Sequence, residues 1–409
     1  MKRIIIIALA TMAIAQSMIA QERRMTLNEI LKLATERNLS LQSSRIAVER
    51  TRAMQGTAFN LDPTAVSLSQ DPTSGGSPDN AITVSQSFAL PSVYTARKSL
   101  LKAQTDVERS RLAVNEIELR REVSKAFYDL LYAHDVLNIY SRQNSIYNDF
   151  NRVAVAKFKA GETGRLEKMN AERLKRENEI KNMNAERDFR TAQLVMMKWL
   201  NTDTLIVPVD SIDDKVIFQS NPSIDSPLLM LAKADVDVAN HQLKLEKRGY
   251  LPTLSLGASI QAVIKGFNPY NIERSPYSKG DFMGFSVGVN IPLAFRAQKA
   301  KMNAARKNVD IARLNVRNQE YMLRKAYEVA YNDYLSALNS LEYYQTKGVP
   351  QASEMERISK ISYENGSIGY IELMQNMQSA VDVWKDYADA VCRYNKTIVE
   401  LNYLKGDKQ

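Results

Sequence analysis

The chain of 409 residues has one cysteine, two histidines and two tryptophans. Cys392 alone allows no intramolecular disulfide, and no cysteine stands near residue 20 to carry a lipid anchor. It has no histidine close by and reads as a buried helix residue. His134 and His241 lie in opposite halves without ligand spacing, so neither a metal nor another cofactor is expected. No glycine-rich phosphate loop and no nucleophile elbow occurs, so the chain is not expected to be an enzyme. After the first twenty residues no run of about 18 apolar residues appears, which excludes a helical membrane span. Glycine and proline are absent from Tyr94 to Ala160.

What is present begins with an export signal. Lys2 and Arg3 precede the apolar run Ile4 to Ala15 and a more polar exit, Gln16 to Ala20. That order predicts a secretory signal peptide over residues 1–20, cleaved before Gln21. The net charge is +9, but Lys and Arg alternate with Asp and Glu, as in Glu116 to Glu122 and Glu167 to Lys181. Such interleaving reads as the solvated faces of long helices, so the basic excess says little about function and no nucleic acid partner is expected.

The rest of the chain states one plan twice, with a period of about two hundred residues. Pro63, Thr64, Ser67 and Leu68 match Pro252, Thr253, Ser255 and Leu256. Leu90-Pro91 matches Ile291-Pro292, and Ala126 to Ala133 matches Ala330 to Ala337. Phe158, Gly161, Gly164 and Glu167 match Tyr363, Gly366, Gly369 and Glu372 at the same spacing. These ordered pairs define a first repeat over residues 21–200, a linker over 201–226 and a second repeat over 227–409.

Each repeat reads helix, strand, strand, long helix, helix. Residues 27–60 carry a helical rhythm, opened by Thr26 as N-cap and Glu29 as its capping-box partner. The stretch from Tyr94 to Ala160 would span roughly 100 Å as one helix. Ala126, Leu130, Ala133 and Leu137 step by four and three, as do Ala330, Tyr334, Ala337 and Leu341, which specifies coiled-coil seams. Pro350 predicts a kink or short break in the second long helix.

Four other segments have period two. Leu254, Leu256, Ala258, Ile260, Ala262 and Ile264 alternate with Thr253, Ser255, Gly257, Ser259 and Gln261. Phe285, Val287, Val289 and Ile291 alternate with Ser286, Gly288 and Asn290; Ile82, Val84, Phe88 and Leu90 with Thr83, Ser85 and Ser87; Val66 and Leu68 begin a fourth strand. Apolar residues on one face and small polar ones on the other suit the wall of a transmembrane β-barrel. Asp71 to Pro78 and Gly266 to Gly280 are the turn-rich loops of two hairpins. A soluble sheet packed on helices is the alternative, but export and mutually paired helices leave it no cover. Four strands cannot close a barrel in lipid, where an open edge leaves backbone groups unsatisfied, so copies must combine. A dimer would give eight strands and a filled interior, a trimer twelve and a lumen.

Thr26 to Leu31 with Ala34 and Asn38, the two Gly-x-x-Gly-x-x-Glu turns and the repeated strand-hairpin-helix plan resemble the TolC-like outer-membrane efflux proteins over essentially the whole mature chain. Gln86 to Tyr94, followed by basic residues, is similar to the heavy-metal-efflux branch. The resemblance implies a mixed α+β membrane protein: a long α-helical coiled-coil barrel, and four β-strands per chain in a homotrimeric, twelve-stranded transmembrane barrel. It implies a channel in the cell outer membrane that reaches into the periplasm. Its partners would be a periplasmic adaptor of the membrane-fusion type and an inner-membrane pump of the resistance-nodulation-division type.

Site residues follow from the same resemblance. Gly161, Gly164, Arg165, Gly366, Gly369 and Tyr370 would form the periplasmic tips that dock an adaptor. Their plain alternative is turn formation, with glycine as a helix C-cap. Glu167 and Glu372 are candidates for rings of carboxylate at the aperture, against ordinary solvated tip residues. The family commonly has Asp where these glutamates stand. Pro91 and Pro292 stand where strand becomes helix. The rival function is a soluble periplasmic coiled-coil adaptor or scaffold. The exported substrate is not legible from these residues.

Overall fold

A computed structural model describes residues 22–72, 78–210, 226–261 and 282–406. The expected signal peptide, the Gly266 to Gly280 loop and residues 211–225 of the expected linker lie outside the described residues. The elements in order are β1 (Arg23–Met25), α1 (Leu27–Arg37), α2 (Leu39–Met54), a 3-10 turn (Gln55–Phe59), β2 (Ala65–Pro72), β3 (Pro78–Ala89), α3 (Pro91–Lys159) and α4 (Arg165–Leu200). They continue with β4 (Ile206–Pro208), α5 (Pro227–Arg248), β5 (Thr253–Gln261), β6 (Phe282–Asn290), α6 (Phe295–Tyr343), a π-helical turn (Tyr344–Gly348), α7 (Val349–Glu364) and α8 (Tyr370–Lys405). No described helix is long and apolar enough to cross a membrane.

The chain forms two compact units, each drawing on both halves of the sequence. The first comprises Met1–Ser44, Ala113–Pro227 and Glu320–Gln409. Its core is helix on helix. Val123, Phe127 and Leu130 of α3 and Leu401 of α8 are fully buried, and Ala337 and Leu341 of α6 pack with Val391, Tyr394 and Ile398 of α8. Full burial of each such large apolar side chain stabilises by about 1.5–3 kcal/mol. The expected seams are therefore used, with Ala126, Ala133, Ala330 and Ala337 letting backbones approach. Between α3 and α8 an ion pair joins Lys396 to Asp129, and Lys125 reaches Glu400 at 2.5 Å.

Caps and a proline adjust the expected helices. Thr26 and Glu29 form the capping box, and Asp210 Oδ2 accepts a further bond from the Leu27 N–H at 2.9 Å. The helix expected over 27–60 is divided at Asn38, whose Nδ2 donates to the Trp199 carbonyl at 3.1 Å while its Oδ1 accepts from the Leu41 N–H. Asparagine thus ends α1 and caps α2, a competition that short polar side chains win readily. Ahead of Pro350 the chain makes the π-helical turn rather than a break, which absorbs the bond proline cannot donate.

The second unit, Arg45–Leu112 and Leu228–Gln319, holds an antiparallel sheet of order β2-β3-β5-β6. Register places like with like. Leu68, Ile82, Ile260 and Met283 form one row across all four strands, and Val66, Val84, Ala258 and Phe285 form the next. The other face carries Ser67, Thr83, Ser259 and Gly284 in one row. Gln86 shares the apolar face, where its Nε2 donates to the Asp62 carbonyl at 2.7 Å and its Oε1 accepts from Thr64. The apolar face is bare: Phe285 is 79% exposed, Val287 77% and Val66 70%. Pro91 opens α3 as expected, but Pro292 does not open a helix. It lies in an irregular connection, and α6 begins three residues later at Phe295, whose N–H bonds to the Leu293 carbonyl at 2.9 Å.

Candidate functional site

The two glycine turns lie in the first unit and have the same geometry. Where α3 ends, the Gly161 N–H bonds to the Phe158 carbonyl and the Glu162 N–H to the Lys157 carbonyl. Where α7 ends, the Gly366 N–H bonds to Tyr363 and the Ser367 N–H to Ser362. Each pair, three and five residues back, satisfies the last carbonyls of a helix and demands a left-handed residue at the glycine. Gly161 and Gly366 supply it, with φ of 77° and 70°. A side chain at either would be strained by roughly 1–2 kcal/mol.

Gly164 and Gly369 are a different case. They are the N-caps of α4 and α8, in ordinary extended conformation at φ −81° and −80°. A Cβ added at either would meet nothing within 4 Å. Neither backbone conformation nor packing within the chain requires glycine at these positions, and Ser, Asp or Asn would cap better.

Glu167 and Glu372 stand in the first turns of α4 and α8, where a carboxylate suits the helix dipole. Glu167 accepts a hydrogen bond from the Thr163 hydroxyl, which makes it part of the turn, whereas Glu372 is exposed. Arg165 is exposed beside them.

Tyr370, expected on the docking surface, is instead 6% exposed. It packs with Tyr147, Ala154, Ala171, Leu373, Met374 and Met377, and its ring meets those of Phe150 and Tyr363 edge-on at 6.3 and 6.5 Å. Burial, reinforced by Tyr147, Tyr363 and Glu167, pushes its hydroxyl up to about 12. The reason is positional: the first residue of α8 faces the shared core, and the aromatic ring fills it. Its counterpart Arg165 faces outward.

This cluster unites the two turns, since it takes residues from α3, α4 and α8 together with Tyr363 of α7. Lys157, just before the first turn, lies 5.3 Å over the Tyr363 ring, just before the second. Leu373 is fully buried at its centre. Leu373→Ala is therefore expected to cost about 2–5 kcal/mol, read as a lower denaturant midpoint, with Leu373→Met nearly silent.

The sequence reading passed over Leu166 and Ile371. They occupy equivalent positions next to the exposed turn, 70% and 54% exposed. The available signal was their shared place, two residues beyond Gly164 and Gly369.

Residues 223–406 match the model of the outer membrane efflux protein family. No curated protein matches the chain significantly. Among solved structures, a membrane protein from Pseudomonas aeruginosa superposes with a TM-score of 0.76 at 14% identity, covering 93% of this chain and 90% of that one. The open state of the MtrE outer membrane channel of Neisseria gonorrhoeae gives 0.73 at 16% identity, covering 93% and 89%. The CmeC outer membrane channel of Campylobacter jejuni gives 0.69 at 13% identity, covering 93% and 85%. In the sequence of its second half and in a fold shared over nearly its full length, the chain resembles the TolC-like outer membrane efflux proteins.

Proposed function

We propose that the chain is one of three identical subunits of an outer-membrane exit duct in a tripartite efflux system. The carrying observation is the apolar face of the four-stranded sheet, bare across rows such as Leu68, Ile82, Ile260 and Met283. A soluble protein covers such a surface, and a contiguous patch of this kind marks contact with membrane or protein. Strands β2 and β6 are both edges of the sheet. In lipid these edges must pair, and three copies would give a twelve-stranded wall with the row of Ser67, Thr83, Ser259 and Gly284 turned to the lumen.

The paired turns are then the adaptor-docking tips. Gly164 and Gly369 are exposed glycines that the chain's own fold does not need, each flanked by an exposed apolar residue, Leu166 or Ile371. A smooth backbone beside an apolar knob suits the close approach of a partner helix. Arg165, Glu167 and Glu372 would border the aperture. The pump behind the adaptor, of the resistance-nodulation-division type, would choose the cargo, since a passage of this kind discriminates little.

Fractionation tests the reading against the soluble adaptor. The mature protein should pellet with outer membranes and need detergent for extraction as a trimer. Release by osmotic shock as a water-soluble monomer would end the proposal.

A further inference from the structure

The basic excess is not evenly spread. Residues 91–102, 241–250 and 291–307, which flank β3, β5 and β6 on the helix side, hold eleven Lys or Arg and one acidic residue, Glu246. That surplus alone exceeds the net +9 of the whole chain, so the remainder is close to neutral. The basic excess is thus gathered beside the sheet, while the interleaved charges of the long helices nearly cancel.

In the second unit these segments converge. The first turns of α3 and the end of α5 line a groove of about 420 Å³, with Ser92, Thr95 and Ser99 on one side and Lys244, Lys247 and Arg248 on the other. The three cations are exposed and make no ion pair among the described residues. Gln298 of α6 closes the end of α5 by donating to the Glu246 carbonyl at 2.6 Å, packed where Gly249 leaves room. Strand β3 stops at Ala89, two residues before α3, and β5 starts at Thr253, five after α5. Along the chain into α6 the order is exposed apolar residues, Val289, Ile291, Leu293 and Phe295, and then Arg296, Lys299 and Lys301. Apolar wall, aromatic ring and cation in that order is what a chain shows where it leaves hydrocarbon for headgroups.

We propose that this groove holds the phosphate of an anionic phospholipid headgroup in the periplasmic leaflet of the outer membrane. Each cation near a charged lipid surface favours binding, and the Ser92 hydroxyl can donate to a phosphate oxygen, while Thr95 Oγ1 donates to the Ser92 carbonyl at 3.1 Å. The ligand's acyl chains would lie along the bare apolar strands, which explains why charge and grease adjoin here. The proposal rests on the sheet being a membrane wall.

The test uses the full mature protein and a triple variant, Lys244→Gln, Lys247→Gln and Arg248→Gln. Both are reconstituted in nanodiscs of phosphatidylcholine with or without phosphatidylglycerol, and lipids retained after detergent extraction are counted by native mass spectrometry. The native protein should retain phosphatidylglycerol over phosphatidylcholine, and the triple variant should lose about tenfold of that preference. A charge-keeping variant, Lys244→Arg with Lys247→Arg, should retain it, which separates lost binding from lost folding. Equal retention of both lipids by the native protein, or an unchanged preference in the triple variant, overturns the site. So does stabilisation by inorganic phosphate alone without lipid preference, or a change confined to ion selectivity of conductance, which would put the cations in the passage. If the native protein enters no nanodisc, the membrane-wall reading fails instead.

Discussion

Val287→Arg should strip trimers from the outer membrane, while Thr83→Arg should leave them there. Both residues lie within strands of one sheet, but on opposite faces. Val287 pairs with Leu256 on the apolar face and is 77% exposed, while Thr83 sits between Ser67 and Ser259 in the polar row. An arginine on the lipid face near mid-membrane costs about 2–4 kcal/mol per chain, or about 30- to 1,000-fold in insertion. A trimer would bear that three times. On the face proposed to line the lumen, the same side chain would reach water and alter only what passes. The measurement is the amount of heat-sensitive trimer in outer-membrane fractions, compared at equal expression. Equal trimer levels for the two variants would show that the apolar face does not meet lipid.

The second large effect belongs to the tips. Gly164→Trp and Gly369→Trp should each lower pump-dependent efflux at least tenfold without reducing trimers. The fold supplies the reason for separating the two readouts: φ near −80° accepts any residue, and no atom stands within 4 Å of the new Cβ. The chain therefore has room for a side chain to start at either position, and a docked partner is what the bulk of the indole should obstruct. Gly161→Ala and Gly366→Ala form the contrast, because positive φ taxes the folded chain by about 1–2 kcal/mol whether or not a partner is present. They should lower thermal stability while leaving residual efflux in proportion to folded protein. The assay is resistance of a deletion strain complemented with each variant, using whichever compounds the deletion makes toxic. Full efflux with tryptophan at both positions would remove the docking assignment.

Local order was readable because it depends on neighbours in sequence. Alternation at Leu254, Leu256 and Ile260 states a strand whatever surrounds it, and Thr26 with Glu29 states a helix start through bonds three residues apart. The left-handed glycines at 161 and 366 follow equally from where the apolar rhythm stops. Asn38 was not readable in this way: its cap on the Leu41 N–H is local, but its Nδ2 is held by the Trp199 carbonyl, 161 residues on. Nor was Tyr370: sequence puts it beside the turn, and only the packing of α3, α4 and α8 around it makes it core.

Element type, capping and the face that each strand turns outward therefore came from residue chemistry within a few positions. The pairing of β3 with β5, which joins the two hairpins into one sheet, came from tertiary structure, as did the gathering of both turns around Leu373. The physical reason is range. Periodicity and capping are satisfied within one helical turn or one strand, whereas partner choice depends on which distant surfaces complement each other. The groove that gathers Lys244, Lys247 and Arg248 opposite Ser92 has the same origin: the charges are visible in the chain, but their meeting is a property of the fold.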